Sequence, residues 1–315
     1  MDLYDIARPI LFQLEAERAH QVGLWLIHLL RERRYSAPGL RVKTSFGELS
    51  NPLGLSAGYD KTGEHLSALS RLGFGYLVAG TFTLDRWPGH PKPRVVRNMD
   101  ERSLVNSLGF PNPGVEAFIR NLASDPPKVP VVGSISGREV GEITECYRRI
   151  QTAVAAVELN LSSPNTPRLR DLRELALFKE LANALMGAKR KPTFLKTPPY
   201  TADERFAEVL KMVKVWEDIG FEGVTASNTI PVTEPRLSIG TGGYSGPSLF
   251  PNTVKAVKRI REVVSQGFEV NATGGISNAD NFNEVMSCGA TTAQVFTALV
   301  YSGPRLVPDV LGQRP

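Results

Sequence analysis

From residue 41 onward, short apolar runs alternate with longer amphipathic stretches. The runs are Leu53–Ala57, Tyr76–Thr81, Val129–Ile135, Ala155–Ser163, Thr193–Lys196, Gly223–Thr229, Glu269–Gly275 and Ala293–Ala298, each ending in small or polar residues. Between them, stretches such as Leu172–Lys189, Ala202–Ile219 and Thr253–Val264 repeat apolar positions at helical spacing. Eight strand–helix units predict an α/β fold, a (β/α)8 TIM barrel over residues 41–315. A doubly wound open sheet is the alternative, but its glycine fingerprint is missing. Alternation of Val95 with Arg97 and of Leu104 with Asn106 predicts a small hairpin inserted after the second strand.

Residues 1–40 read differently, as a small N-terminal helical extension. Leu3, Ile6, Ile10, Leu11 and Leu14 recur at helical spacing, interrupted by Pro9. A second run, Val22 to Leu30, is apolar around most of its circumference and closes on Arg31, Arg33 and Arg34. Two short helices are expected, joined to the barrel through Tyr35–Gly39. Trp25 and the arginines suit a helix lying in a membrane interface. Packing on the barrel, or burial between two copies, fits the same pattern equally well.

Composition narrows the chemistry. With 42% hydrophobic and 22% charged residues, the chain has ample core for a globular fold. Its two cysteines, Cys146 and Cys288, are far apart, and its four histidines form no ligand pattern, so neither a disulfide framework nor a metal site is expected. A net charge of +5 with no nucleic-acid motif points to an anionic small molecule or membrane surface, and away from nucleic acid. No run is long enough to span a bilayer, and no signal or mitochondrial targeting peptide is visible.

Barrel active sites sit at the C-terminal ends of the strands. Those ends offer Ala57 to Lys61, Thr81, Asn160, Ser163, Lys196, Ser227 to Thr229, Gly274-Gly275 and Phe296-Thr297. Asparagine carries both a donor and an acceptor, so Asn160 and Asn165 suit a planar ligand with alternating C=O and N–H groups. Two strand-end lysines require negative charge. Gly242–Gly246 and Gly274-Gly275, with Thr297, fall in the late loops where barrels bind phosphate. With no carboxylate pair, metal or histidine base on this face, a phosphorylated cofactor that carries the reaction fits better than hydrolysis.

Together, Asn51–Lys61, Asn106–Phe110, Asn160–Asn165, Ala226–Thr229, Gly242–Gly246 and Gly274–Ile276 resemble the signature segments of the dihydroorotate dehydrogenases, over nearly the whole chain. The resemblance implies FMN as cofactor and oxidation of dihydroorotate to orotate in pyrimidine biosynthesis. It implies that Ser163 is the general base. Lys61, Asn106, Ser107, Leu108, Gly109, Phe110, Asn160, Asn165, Asn228 and Thr229 bind the substrate. Ala57, Gly58, Thr81, Asn160, Lys196, Ser227, Gly246, Gly275, Phe296 and Thr297 bind FMN, with Lys196 near its N1/O2 edge.

Serine at the base position marks the family's membrane-associated, quinone-dependent class, where the soluble class has cysteine. Ala7–Leu14 and Glu17–His20 resemble that class's opening helices. The implied partners are a quinone and a membrane surface met by residues 1–34. For a bacterial source, the implied location is peripheral, on the cytoplasmic face of the inner membrane. Arg41 resembles the arginine that faces the quinone head. Nothing in the pattern specifies an oligomeric state.

Ile135 stands where that class has an asparagine facing FMN, Ser107 where it has arginine, Arg168 where it has glycine, and Phe296 where a tyrosine is often found. Two further readings stay open: the same flavin chemistry with fumarate as acceptor, and a non-catalytic, membrane-docked FMN barrel.

Overall fold

The computed structural model describes residues 3–35, 38–161 and 174–313. Ser163, Asn165 and Arg168 lie outside the described residues. Along the chain, the hairpin of β1 (Val42–Thr44) and β2 (Gly47–Leu49) precedes β3 (Leu53–Leu55) and β4 (Tyr76–Phe82). A second hairpin follows, β5 (Val95–Asn98) and β6 (Ser103–Asn106), as the alternation in this stretch predicts. Next come β7 (Val131–Ile135), β8 (Ala156–Asn160), β9 (Thr193–Lys196) and β10 (Gly223–Ala226). The excursion β11 (Ile230–Thr233) and β12 (Thr241–Ser245) leads to β13 (Glu269–Thr273) and β14 (Thr292–Val295).

Eight of these strands, β3, β4, β7, β8, β9, β10, β13 and β14, close in that order into an all-parallel barrel, with β14 returning to β3. This is the expected (β/α)8 barrel. Several strands end earlier than their apolar runs: Ser227 to Thr229 and Gly274-Gly275 leave the sheet, and Phe296 caps the helix Thr297–Ser302. The polar residues that end each run belong to the loops, not to the ladder.

The pleat sorts the strand residues into two environments. Leu53, Leu55, Leu77, Val131, Ile135, Val157, Leu159, Leu195, Val224, Val270 and Val295 share one core with helix residues such as Phe118, Ile143, Phe178, Trp216 and Ile260. Trp216 stacks on Phe221 at 3.6 Å, and its Nε1–H donates to the Gly223 carbonyl at 3.1 Å. Truncating a side chain so packed costs about 3–5 kcal/mol. On the inward side, Tyr76, Val78, Val132, Ala156 and Phe194 form a small apolar floor. Phe46, in the β1–β2 turn, closes it edge-on against Tyr76 and Phe194. Above that floor the interior turns polar, toward the strand C-termini.

The first helix, α1 (Leu3–Leu11), contains Pro9 in its last turn. The second, α2 (Ala16–Ile27), is capped by Glu15, whose carboxylate accepts from the backbone N–H of Glu17 and of Arg18, each at 3.1 Å. Both helices dock on the barrel through polar contacts. Tyr4 donates to the Val300 carbonyl at 2.6 Å, Arg8 to the Tyr301 carbonyl at 2.6 Å, and Asp5 pairs with Arg305 at 2.8 Å. Glu17 pairs with Arg94 at 3.0 Å. Of α2, only Ala19 and Leu24 are fully buried.

Candidate active site

The strand C-termini and the two N-terminal helices enclose one cavity of about 1440 Å³. Its barrel end is built from amides, hydroxyls, lysines and glycines. Its outer end, between α1, α2 and the helix Thr297–Ser302, is largely apolar, with Ala7, Leu11, Phe12, Leu26 and Ile27 on its wall.

At the barrel end the amides form a connected row. Asn160 Nδ2 donates to Thr81 Oγ1 at 3.0 Å, and its backbone carbonyl accepts from Ser136 Oγ at 2.8 Å. Asn228 Nδ2 reaches Asn160 Oδ1 at 3.5 Å, while Asn228 Oδ1 accepts from the Thr229 N–H at 2.8 Å. Asn106 arrives from another element: it ends β6, pairs with Gly243 of β12, and donates to the Gly243 carbonyl at 3.3 Å. The row presents donors and acceptors without adding charge, which suits a planar ring of alternating C=O and N–H groups.

Lys61 sits beside this row on a loop that Asp60 holds rigid. The Asp60 carboxylate accepts from the backbone N–H of Thr62 and Gly63, each at 2.8 Å, and of His65 at 2.9 Å. Lys61 Nζ donates to the Gly58 carbonyl. Burial pulls its pKa down to about 8, against partial support from Asp60 and Glu17. An anionic ligand would raise it again by stabilising the ammonium, so the site is prepared for one. Lys196, at the end of β9, is 6% exposed, and its Nζ lies 3.8 Å from Glu158 Oε1.

The late loops bring backbone close. Gly275 has φ +74°, and a Cβ there would come within 2.4 Å of the Phe250 backbone nitrogen, so only glycine fits. Gly274 is held by Thr253 Oγ1, which donates to its carbonyl at 2.8 Å. Thr297 Oγ1 donates to Ser245 Oγ at 2.8 Å, joining two of these loops. Gly246, Gly274, Gly275, Phe296 and Thr297 all line the cavity here. A loop cluster of this kind suits an anionic phosphate.

The structure thus gathers Lys61, Asn106, Leu108, Gly109, Phe110, Asn160, Asn228, Thr229, Ala57, Gly58, Thr81, Lys196, Ser227, Gly246, Gly275, Phe296 and Thr297 around one cavity. Ser107 is the exception among the described candidates. It is fully buried behind the wall, its N–H donates to the Arg94 carbonyl at 2.8 Å, and its Oγ has no partner among the described residues.

Two further expectations need correction. Ile135 does not face the cavity; it is an outward residue of β7, sealed in the helix–strand core. The inward residues on that strand end are Ser134, whose Oγ bonds Thr81 Oγ1 at 3.1 Å, and Ser136. Arg41 lies at the opposite end of the barrel, exposed and paired with Glu48 at 3.2 Å. Several arginines line the cavity, Arg33, Arg94, Arg97, Arg102 and Arg305 among them. Of these, Arg97 of β5 is stacked 4.7 Å from the Phe12 ring centroid and donates to the Phe12 carbonyl at 3.3 Å. The Val95/Arg97 alternation marked this residue, but a lone strand arginine more often faces solvent. His20 was also missed as a site residue. Its Nε2–H donates to the Tyr59 carbonyl at 2.7 Å, and burial lowers its pKa to about 4, so the ring facing the cavity is neutral.

Fold and site together define a (β/α)8 barrel whose glycine loops suit a phosphate and whose amide row and lysines suit a planar, anionic ligand. Residues 40–313 match the family profile described as dihydroorotate dehydrogenase. The chain is 30% identical to the dihydroorotate dehydrogenase (quinone) of Legionella pneumophila (strain Lens), over 98% of each chain. It is 32% identical to the protein of that name from Flavobacterium lutescens, over 98% of this chain and 95% of that one. The ligand-free DHODH of Eimeria tenella superposes with a TM-score of 0.85 at 25% identity, covering 94% of this chain and 93% of that one. The chain belongs to the dihydroorotate dehydrogenase family.

Proposed function

We infer that this chain is a quinone-dependent dihydroorotate dehydrogenase, oxidising (S)-dihydroorotate to orotate in pyrimidine biosynthesis and passing the electrons to a quinone. The observation that carries the reading is the single cavity joining the polar barrel end to an apolar mouth between α1 and α2. A lipid-soluble oxidant needs such a mouth. Fumarate, a small dianion, does not, and this favours quinone over fumarate. A non-catalytic barrel leaves the mouth equally without purpose.

The site fits FMN: Gly246, Gly275, Phe296 and Thr297 would hold its phosphate, Ala57, Gly58, Thr81, Asn160 and Ser227 its ring, and Lys196 the ring's N1/O2 edge. Bound there, FMN supplies the hydride acceptor. The chain's own residues do the rest. Asn106, Asn160, Asn165, Asn228 and Thr229 hold the dihydropyrimidine ring. Lys61 offers its ammonium to the substrate, which also acidifies the proton at C5. Ser163 takes that proton. Arg97 and His20, at the junction of the two cavity ends, face the quinone head as a cation and a neutral ring. The outer faces of α1 and α2 meet the bilayer as a peripheral attachment. Among the described residues, no helix is long and apolar enough to cross one.

The test is optical. Purified protein is expected to be yellow, to bleach anaerobically with dihydroorotate, and to regain colour with a ubiquinone or menaquinone analogue. Protein that cannot take up FMN overturns the reading. Recolouring by fumarate as fast as by quinone reassigns the acceptor.

A further inference from the structure

Most polar groups inside the barrel satisfy one another. Tyr76 bonds Thr292 Oγ1 at 2.7 Å, Thr292 donates to Asn271 Oδ1 at 2.7 Å, and Ser56 Oγ bonds Thr273 Oγ1 at 2.9 Å. Glu158 does not join them. It is 1% exposed, and neither carboxylate oxygen has a hydrogen-bond partner among the described residues. The cation beside it is Lys196, with Nζ 3.8 Å from Oε1, too long for a hydrogen bond but close enough for strong attraction in a dry interior. Glu158 shares the inward face of β8 with Asn160, which stands opposite Lys196 in the β8–β9 register. The carboxylate therefore sits one layer deeper, directly beneath the lysine that lines the cavity.

A buried ion pair is weak evidence for stability, because an apolar pair of similar volume commonly does as well or better. A carboxylate left without hydrogen bonds is worse placed still. Its electrostatic effect is directional: it draws the ammonium inward and offsets its charge at the cavity wall. We propose that Glu158 is a positioning residue that acts through Lys196 to set the electron affinity of the ring that Lys196 contacts. The proposal rests on the flavin reading above. Reduction by hydride leaves negative charge on that edge of the ring, so a carboxylate behind the lysine disfavours the reduced form and keeps it a ready donor to quinone.

The measurement is the two-electron midpoint potential of FMN in the purified holoprotein, for the native chain, Glu158→Gln, Lys196→Gln and the double variant. Glu158→Gln should shift the oxidised–reduced equilibrium toward the reduced form by at least about tenfold, some 30 mV positive for a two-electron couple. Lys196→Gln should shift it the other way. In the double variant, removing the carboxylate should add little, because the lysine through which it acts is already gone. A Glu158→Gln holoprotein at the native potential overturns the proposal. A native chain that binds no FMN overturns the flavin reading instead. Glu158→Thr serves as a second variant. If both variants fold yet neither holds FMN, or neither folds, the carboxylate is a binding or core element and the tuning role falls.

Discussion

The barrel and the two helices that precede it treat apolar surface in opposite ways. In the barrel, strand residues such as Leu53, Val157 and Val224 are fully buried under the helices. In α1, α2 and the residues beside them, Ile10 is 66% exposed, Trp25 64% and Leu29 69%. Of the eleven large hydrophobic side chains exposed among the described residues, seven lie between Ile6 and Leu29, so the exposure is a patch and not scatter. One region completes its own core. The other is fastened to it by polar contacts through Tyr4, Arg8, Glu17 and His20, and presents its apolar side outward. Under the proposed function, the two ends of the cavity would serve two phases, water at the barrel and lipid at the helices. Each should be separable from the other by mutation.

The largest separation should come at the barrel end. Ser163→Ala removes the proposed base, and reduction of bound FMN by dihydroorotate should slow by about two to four orders of magnitude. Liposome binding and reoxidation of chemically reduced protein by quinone should be unchanged. Anaerobic stopped-flow absorbance measures both half-reactions. A native reduction rate in the variant would take Ser163 out of the chemistry.

The reverse separation uses the exposed patch. Trp25→Ser with Leu29→Ser removes two side chains that carry no core packing, so folding should be untouched. Losing two interfacial apolar anchors at roughly 1 kcal/mol each should weaken binding to anionic liposomes by about tenfold to a hundredfold. Turnover with a membrane-dispersed quinone should fall in step, while flavin reduction by dihydroorotate keeps its rate. If the double variant still sediments with liposomes, the patch is a contact between copies, and its sedimentation coefficient without lipid should then drop.

Legibility in the sequence followed the range of the interaction. Local alternation was enough for the barrel, the inserted hairpin and the glycine loops, because pleat and turn chemistry are written over a few residues. The join of β6 to β12 was not legible: Asn106 meets Gly243 only once the barrel has turned through most of its circumference. The same limit explains Ile135. A one-residue difference in strand phase exchanges inside for outside, and only the closed barrel reveals that Ser134 faces in. Arg41 and Arg97 were exchanged for a related reason. Proximity of Arg41 to the N-terminal helices along the chain says nothing about which end of the barrel it occupies. Glu158 interrupted an apolar run with no local partner to explain it, since its lysine is on the next strand.

A last effect, on stability and not on rate, falls where the two regions meet. Lys61 lies between the amide row and the helix residues Glu17 and His20, and burial lowers its pKa to about 8. A folded-state pKa below the ordinary lysine value near 10.5 means that, between the two, the unfolded chain holds a proton the folded chain has released. Stability of the orotate-free holoprotein should therefore rise as pH climbs from about 8 toward 10.5, and carry a constant penalty below 8. Lys61→Met removes that penalty. At pH 7 the variant should be more stable to denaturant by on the order of 1–3 kcal/mol, and its advantage should shrink above pH 8. Saturating orotate should reverse the order, because the anion pairs with the native ammonium and not with methionine. The same titration predicts that orotate binds the native protein more weakly above about pH 8. A methionine variant less stable than the native chain at pH 7 without orotate would show that Lys61 holds the two regions together, and that its charge is not kept there for a ligand alone.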